Sequence, residues 1–293
     1  MSSPVVVLEE IALVAPLGVR FWDVALNARF SGDLDVRVWP AAIPEQQIPG
    51  VQGSGGVYSF HHLPGMRDAE NGAGDAAYWA VQTPRFPFVL QVVDAASNYL
   101  PFTLPVLLPQ RGIFGLRVSP PAPGIPDDTW LPLFSSPARV FSSRAMLRAQ
   151  LVELATGRPA AGALGEARAG SNPPALGMAD DRGVMAMPLE WPEPENFGLG
   201  SPIGGVARQW ADQRWTVDIT VYYSRVVPAG AYPDLNALLS QAAATVWADR
   251  TGSAELDSAE LVFGQDLTLR SLDSPGGREL PYLFVTPAGS PLI

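Results

Sequence analysis

The sequence predicts an all-β protein made of two β-sandwich domains, with one helix in the second domain. Apolar and polar residues alternate in short segments such as residues 215–222, which is the period of a strand with one face in water. The chain has 30 prolines and 28 glycines among its 293 residues, a content typical of many short strands joined by turns. At 47% hydrophobic residues, the chain can bury two separate cores.

The strands and the domain boundaries follow from this patterning. Residues 36–39 alternate, whereas residues 88–93 are almost continuously apolar and are expected to form a central strand. Residues 118–126 contain four prolines, which favour extended backbone with few hydrogen-bond donors. We therefore predict an N-terminal sandwich over 1–117, a proline-rich linker over 118–137 and a C-terminal sandwich over 138–293.

One helix is predicted in the second domain, from residue 234 to about residue 250. Asp234 follows a proline and can cap the first turn, because its carboxylate can accept from free amides there. The apolar positions on one helical face are Leu235, Leu238, Leu239, Ala242, Val246 and Trp247. Two interpretations stay open at this point: a helix packed across the open side of a sandwich, or a helix that docks a partner.

The two halves of the sequence repeat. Each has an alternating strand that reaches an acidic residue, and then a glycine turn that opens a second short strand ending at a proline. The spacing is 33 residues from Asp23 to Gly56 in the first half, and 30 residues from Glu153 to Gly183 in the second. This spacing predicts that the domains are related.

The second half carries a family resemblance. Residues 155–164 (ATGRPAAGAL) and 177–189 (GMADDRGVMAMPL) resemble the carboxypeptidase regulatory-like, or transthyretin-like, β-sandwich. In that family a turn of the form D-x-x-G-x-P precedes a strand of the form D-x-x-G-x-[FY]. The first half matches only the second of these elements, at residues 55–60. The resemblance implies an Ig-like or transthyretin-like sandwich and supplies no catalytic residue.

A second resemblance covers most of the chain. Residues 87–94, 98–102, 133–137 and 281–285 are similar to segments of proteins encoded beside phage-tail-like contractile injection systems. The resemblance implies a structural or adaptor subunit at the baseplate or periphery of such a particle. Its partners would be the other subunits, and one particle could hold several copies of the chain.

Charge and composition exclude several other classes. The net charge is −10 and every cation is arginine, so a nucleic-acid partner is not expected. There is no cysteine, which excludes disulfides and thiolate metal sites. The first ten residues lack a basic start, and no apolar run reaches the roughly 18 residues that span a bilayer. We expect a cytoplasmic protein without membrane insertion, or a component of a particle released by cell lysis.

Known catalytic and cofactor motifs are missing. His61 and His62 are the only histidines, and neighbours in a strand would point to opposite faces, so they cannot chelate one ion together. Ser54 lies in a glycine-rich loop without the G-x-S-x-G pattern of a serine nucleophile. A phosphate-binding loop needs a lysine, and the chain has none.

The carboxylate groups do not match a known site either. Asp180 and Asp181 are better explained by a turn in which Gly183 has a positive φ than by calcium, which prefers six to eight oxygens. The acidic residues of 190–195 are expected to form a solvated rim rather than the paired carboxylates of a glycosidase. The sequence therefore predicts no enzyme activity, no metal and no cofactor.

The residues expected to matter are contact residues. The loops 40–56, 66–80 and 192–212 are longer than hairpin connections need, and loops of this kind usually bind something. Aromatic residues are enriched at interfaces, and the candidates are Tyr78, Trp79, Trp130, Trp191, Phe197 and Trp210. The alternative is a module that binds carbohydrate or a cell surface, which would present a row of exposed aromatic rings.

Overall fold

The computed structural model describes residues 14–72, 84–110, 112–116, 125–193, 213–225 and 231–288. Strands make up 43% of the structure and helices 4%, so the predicted all-β, sandwich-like class is confirmed. Two short helices lie within the described residues, α1 at Arg67–Gly72 and α2 at Leu235–Leu239.

The first half contains ten strands in two layers. They are β1 Leu17–Val19, β2 Phe21–Asp23, β3 Ala28–Arg29, β4 Asp35–Pro40, β5 Ile48–Pro49, β6 Val51–Gln52, β7 Tyr58–Phe60, β8 Phe86–Val93, β9 Phe102–Leu108 and β10 Leu131–Leu133. One layer has the order β5-β4-β8-β9, and the other consists of β1-β7-β6 together with β10-β2-β3. Alternate residues of both layers are buried in one core, as expected for two sheets packed face to face.

The second half contains eleven strands. They are β11 Ala145–Glu153, β12 Leu164–Ala169, β13 Ala175–Met178, β14 Val184–Leu189, β15 Arg214–Tyr222, β16 Ala243–Trp247, β17 Ser258–Val262, β18 Leu267–Thr268, β19 Ser271–Leu272, β20 Glu279–Leu280 and β21 Leu283–Thr286. A continuous sheet runs β13-β12-β15-β16-β21-β11-β14, with β17 on β15 and β18 on β11. Its two ends meet closely, since a Cβ on Gly177 would lie 2.7 Å from the Ala186 carbonyl oxygen.

The two halves begin with the same hairpin. After β2 the chain turns back, and the N–H of Phe30 donates to the carbonyl of Phe21 at 3.0 Å. After β11 the N–H of Ala160 donates to the carbonyl of Leu151 at 2.9 Å. Both bonds span the same number of residues, and the second pair lies 130 positions further along the chain.

The strand registers also match. Leu17 faces Phe60 in the β1–β7 pair, and Leu147 faces Met187 in the β11–β14 pair. In each half a later strand then adds in parallel at the end of the first hairpin strand: β10 beside β2 and β21 beside β11. The halves therefore share one topology, as the sequence repeat predicts.

The glycine turns of the repeat occupy equivalent places. Gly56 has φ 70° and Gly183 has φ 75°, and each precedes the strand that pairs with the opening strand of its half. A Cβ on Gly183 would lie 2.3 Å from the Leu151 carbonyl oxygen. Glycine is required there by both conformation and space. The predicted turn is confirmed, since Asp180 Oδ1 accepts from the N–H of Arg182 and of Val184, both at 2.9 Å.

The helix prediction is wrong in length. Helix α2 begins after Asp234, whose carboxylate accepts from the N–H of Asn236 at 2.9 Å as predicted, but it ends at Leu239, with Ser240 as its C-cap. Residues 243–247 form strand β16 instead, in which Val246 faces Val285 of β21. This strand joins β15 to β21 in the sheet. The apolar residues of 243–247 are compatible with a helix or a strand, and the pairing with β15 and β21 favours the strand.

The described part of the predicted 118–137 linker belongs to the first half. Strand β10 pairs with β2, and the N–H of Leu131 donates to the carbonyl of Arg20 at 2.9 Å. Leu131 and Leu133 are buried in the first core. The two leucines alternate with a proline, so the segment forms a short strand despite its proline content.

Helix α2 connects the two halves. Its Leu235 and Leu238 are buried in the core of the first half, although the helix belongs to the second. Just before it, the carbonyl of Pro233 accepts from the N–H of Thr103 at 2.8 Å. The structure therefore agrees with the first of the two interpretations, in which the helix packs on a sandwich. The sandwich on which it packs is that of the first half.

Candidate functional site

The first half contains a buried carboxylate at the end of strand β2. Asp23 is 2% exposed, and its Oδ1 accepts from the N–H groups of Ala25 and Leu26 at 3.0 and 3.1 Å. Its Oδ2 accepts from the Tyr99 hydroxyl at 2.6 Å and from both terminal nitrogens of Arg139 at 3.0 Å. We call these residues the Asp23 cluster. Burial, and then the bond to Asp23, raise the pKa of Tyr99.

The second half contains a matching group at the end of strand β11. Glu153 is 3% exposed and accepts from the Tyr223 hydroxyl at 2.6 Å, Thr156 Oγ1 at 2.6 Å and Arg225 Nε at 2.8 Å. We call these residues the Glu153 cluster. The bonds from Arg225 are the largest cause that lowers the pKa of Glu153 to about 2. Burial, and then the Glu153 carboxylate, raise the pKa of Tyr223.

Both clusters hold the start of a hairpin. Asp23 and Glu153 lie 130 positions apart, at the same point of the shared topology, and each follows the last residue of an apolar strand face. The arginine comes from a different place in each half, since Arg139 precedes β11 and Arg225 follows β15. A carboxylate bonded by a phenol, a guanidinium and a local donor has hydrogen-bond partners on both of its oxygens. Such a group stabilises a turn.

A third buried carboxylate orders the turn after β16. Asp249 accepts from the N–H of Thr251 at 2.8 Å, the hydroxyl of Ser253 at 2.8 Å and the N–H of Ala254 at 3.0 Å. These bonds, first of all the one from the Thr251 hydroxyl, lower the pKa of Asp249. This arrangement is an Asx-type turn and needs no bound ion.

The histidine pair does not lie in a strand as the sequence argument assumed. Strand β7 ends at Phe60, and His62 has a positive φ of 59°. The two imidazole rings are 6.4 Å apart, and His62 Nδ1 lies 3.9 Å from a carboxylate oxygen of Glu70. Within the described ranges, no group of three or more histidine, aspartate or glutamate side chains could hold a metal ion.

Two of the six candidate contact residues lie in the described structure. Trp130 is 8% exposed, its ring centroid is 5.4 Å from that of Trp22, and the Arg20 guanidinium lies 3.9 Å above it. Trp130 therefore packs within the first half. Tyr78, Trp79, Phe197 and Trp210 lie outside the described residues.

Trp191 is half-buried in an aromatic cluster of the second half. Its ring centroid is 6.1 Å from that of Trp215 and 5.0 Å from that of Phe263. The rings are tilted by 50° and 54° to that of Trp191. A contact between Trp191 and a partner remains a prediction.

The surface has two concave regions of note. A cavity of about 410 Å³ lies between the halves. Its lining comes from Leu100, Pro101, Ala161, Gly162, Met178, Ala179, Asp180, Asp181, Ala231, Tyr232, Pro233 and Leu238. A second, more open groove of about 600 Å³ lies on the second half, between β11 and the segment that leads into β21.

Several large apolar side chains are exposed. Val140, in the loop before β11, is 82% exposed, and others are Leu26, Ile43, Val51, Phe86 and Leu107. Single exposed apolar residues are ordinary on monomeric proteins. Here the same molecule also has two concave surface regions.

The sequence reasoning missed the two carboxylate clusters. It used Asp23 and Glu153 only as markers of the repeat. The available signal was a single acidic residue at the end of an apolar strand face in both halves, since a buried charge must be paired. The tyrosine and arginine partners could not be found this way, because they lie up to 116 positions away.

Comparisons with known proteins gave no relative. A scan of protein-family models, a search of curated proteins and a search of solved structures each found no match to the chain. Within the described residues, neither helix has the length and apolar character required to cross a membrane.

Proposed function

We propose that the chain is a structural or adaptor subunit of a large protein assembly, at the baseplate or periphery of a phage-tail-like contractile injection system. The observation that carries the proposal is how the polar groups are used. The carboxylates of Glu153 and Asp249, whose pKa values are strongly lowered, accept hydrogen bonds from other groups of the chain itself. A catalytic acid or base would instead face a cleft that admits a substrate.

The connection between the halves supports a scaffolding role. Besides the backbone bond to Pro233, the hydroxyl of Thr103 donates to the carbonyl of Tyr232 at 3.1 Å. The amide of Gln241 donates to the carbonyls of Gly162 and Leu238 at 2.8 and 3.0 Å. These bonds hold residues 232–241, which include helix α2, in place, and the leucines of the helix complete the first core. An adaptor that holds two neighbours in a set geometry needs such a fixed connection.

The open surface supports a contact role. The 600 Å³ groove is open, and apolar side chains such as those of Val140 and Val51 are largely uncovered by the rest of the described chain. Burial of such area in a partner yields roughly 25 cal/mol per Å² of apolar surface. The proposal is that neighbouring subunits cover this surface.

The alternative function, binding of carbohydrate or of a cell surface, has less support. A sugar ring stacks on a flat and accessible aromatic face. In the cluster of Trp191, Trp215 and Phe263 the rings are tilted by 50–62° to one another. Edge-on packing of this kind is typical of rings that stabilise one another.

The proposal is tested by purifying the chain from its own cells through a small tag under mild conditions. Mass spectrometry of the eluate should identify stoichiometric partners, and electron microscopy should show sheathed, tail-like particles. Recovery of the chain alone would contradict an assembly function. Recovery in a large particle without a sheath and tube would contradict the contractile system. Saturable binding to a glycan panel by the isolated chain would favour the alternative.

A further inference from the structure

The groove on the second half has a defined lining. It lies over the outer face of β11 and the start of β21. Its lining residues are Gln150, Val152, Leu154, Ala155, Thr156, Gly157, Pro159, Arg250, Pro281, Tyr282 and Phe284. We call it the β11–β21 groove. The rings of Tyr282 and Phe284 meet edge to face, with centroids 5.3 Å apart.

The same place in the first half is filled by the chain itself. The registers align Trp22 of β2 with Val152 of β11, and Pro132 of β10 with Phe284 of β21. Trp130 thereby corresponds to Tyr282. In the first half the Trp22 ring packs edge to face on Trp130 at 5.4 Å. In the second half valine replaces this tryptophan and Phe284 replaces Pro132, so the ring that packs on Tyr282 comes from β21 instead. The surface over Val152 is part of the groove.

The charges differ as well, since Gln150 stands at the position of Arg20 and the cation at the groove comes from another segment. In the first half Arg20 lies 3.9 Å above the Trp130 ring and pairs with Asp127 at 3.4 Å. An aromatic pair, a guanidinium and a carboxylate are therefore all supplied by the chain. In the second half Arg250 lines the groove and is exposed, and within the described part of the chain it has no ion-pair partner. The second half thus has an aromatic pair and a cation at the groove, but its described residues supply no anion to that cation.

We propose that the β11–β21 groove binds a segment of a partner protein that carries an aromatic side chain next to carboxylates. The aromatic ring takes the place that Trp22 occupies in the first half, over Val152 and beside Tyr282. The carboxylates pair with Arg250, as Asp127 pairs with Arg20. This inference rests on the proposed role as an assembly subunit and names the surface that one partner covers. Aromatic anchors with a matching charge are the usual centre of a protein interface.

The test uses the full chain and a fluorescein-labelled hexapeptide with one tryptophan flanked by glutamates. Two control peptides replace the tryptophan by alanine or the glutamates by glutamines. Fluorescence anisotropy should show saturable binding of the first peptide, with at least ~10-fold weaker binding of both controls. No saturation by the first peptide up to about 1 mM protein, or equal binding of all three peptides, would overturn the inference.

Variants locate the binding site. Val152→Trp should fill the groove as Trp22 does and weaken binding at least ~10-fold, whereas Val140→Trp, at an exposed position, should leave it unchanged. Arg250→Glu should also weaken binding at least ~10-fold, whereas Arg278→Glu, the matched exposed control, should leave binding unchanged. Arg250 lies at the rim, so its variant should fold even if Val152→Trp does not, and near-ultraviolet circular dichroism checks both. Undiminished binding by folded Arg250→Glu would overturn the inference.

The same variants separate this inference from the proposed function. If the tagged wild-type chain recovers its native partners and both groove variants recover them equally, the assembly function stands and the groove assignment is wrong. If the chain is recovered alone but binds the peptide through Val152 and Arg250, the groove assignment stands and the assembly function is wrong.

Discussion

The hydroxyl of Tyr223 lies 2.6 Å from the buried carboxylate of Glu153, and this bond has a counterpart between Tyr99 and Asp23 at the same distance. The two carboxylates occupy one position of a shared topology, while their arginines come from different connections. A buried acid at this point is therefore a property of the repeated hairpin. The bonds around it are what make the burial tolerable.

Removal of the Tyr223 hydroxyl should destabilise the protein. Tyr223→Phe leaves the ring in the core but deletes one donor to Glu153, so we expect a loss of about 1 kcal/mol in the free energy of unfolding. Tyr222→Phe is the matched control, because its hydroxyl makes a longer bond of 3.3 Å at a partly exposed site. Urea denaturation followed by circular dichroism measures both. Equal losses would contradict the special role of the Glu153 cluster.

Arg139 should matter more than an arginine in an exposed ion pair. Arg139→Met leaves Asp23 buried without its counter-charge, and such a loss costs about 3 kcal/mol. Arg37, which pairs with Asp35 at the surface, provides the control, and Arg37→Met should cost less than about 1 kcal/mol. The difference in urea midpoint between the two variants gives the answer. A small and equal effect would show that Asp23 is stable without Arg139.

Stability should fall in acid because of Glu153. Its pKa is lowered from 4.5 to about 2 in the folded protein. The stabilisation it provides is therefore complete above the unfolded value and is lost as the pH falls from about 4.5 through about 2. Glu153→Gln should have a shallower decline in urea midpoint over this range than the wild-type chain. Parallel curves would mean that other acids, such as Asp249, account for the acid sensitivity.

Two glycines with similar φ values should differ in their tolerance of alanine. Gly157 has φ 68° with no atom within 4 Å of an added Cβ, so Gly157→Ala should cost only about 1 kcal/mol for the left-handed backbone. Gly183→Ala would also place its Cβ 2.3 Å from the Leu151 carbonyl oxygen, and should cost at least ~2 kcal/mol. Thermal denaturation of the two variants compares them directly. A similar cost for both would contradict the packing at Gly183.

The strands with strong patterning could be predicted from the sequence. Residues 215–222 lie in β15 and residues 88–93 in β8, because alternation and continuous apolar runs reflect how many faces of a strand are covered. The spacing of Asp23 and Gly56 against Glu153 and Gly183 also predicted the repeat. These features are local or periodic, and a single sequence contains them.

The features that could not be predicted depend on contacts between residues that are distant in the sequence. Residues 243–247 carry an apolar stripe that suits a helix, and only the need for a strand between β15 and β21 decides against it. Strand β10 exists because β2 offers it a free edge. The partners of Asp23 and Glu153 likewise depend on the tertiary fold.

We propose that the chain works as part of a larger particle. Sedimentation velocity of the tagged chain in a gentle, undiluted lysate of its own cells can show whether this is so. We expect the chain to sediment with a complex of many subunits and to be released as a single 31.2 kDa chain only in denaturant. If the native chain sediments as a 31.2 kDa monomer, the proposal is wrong.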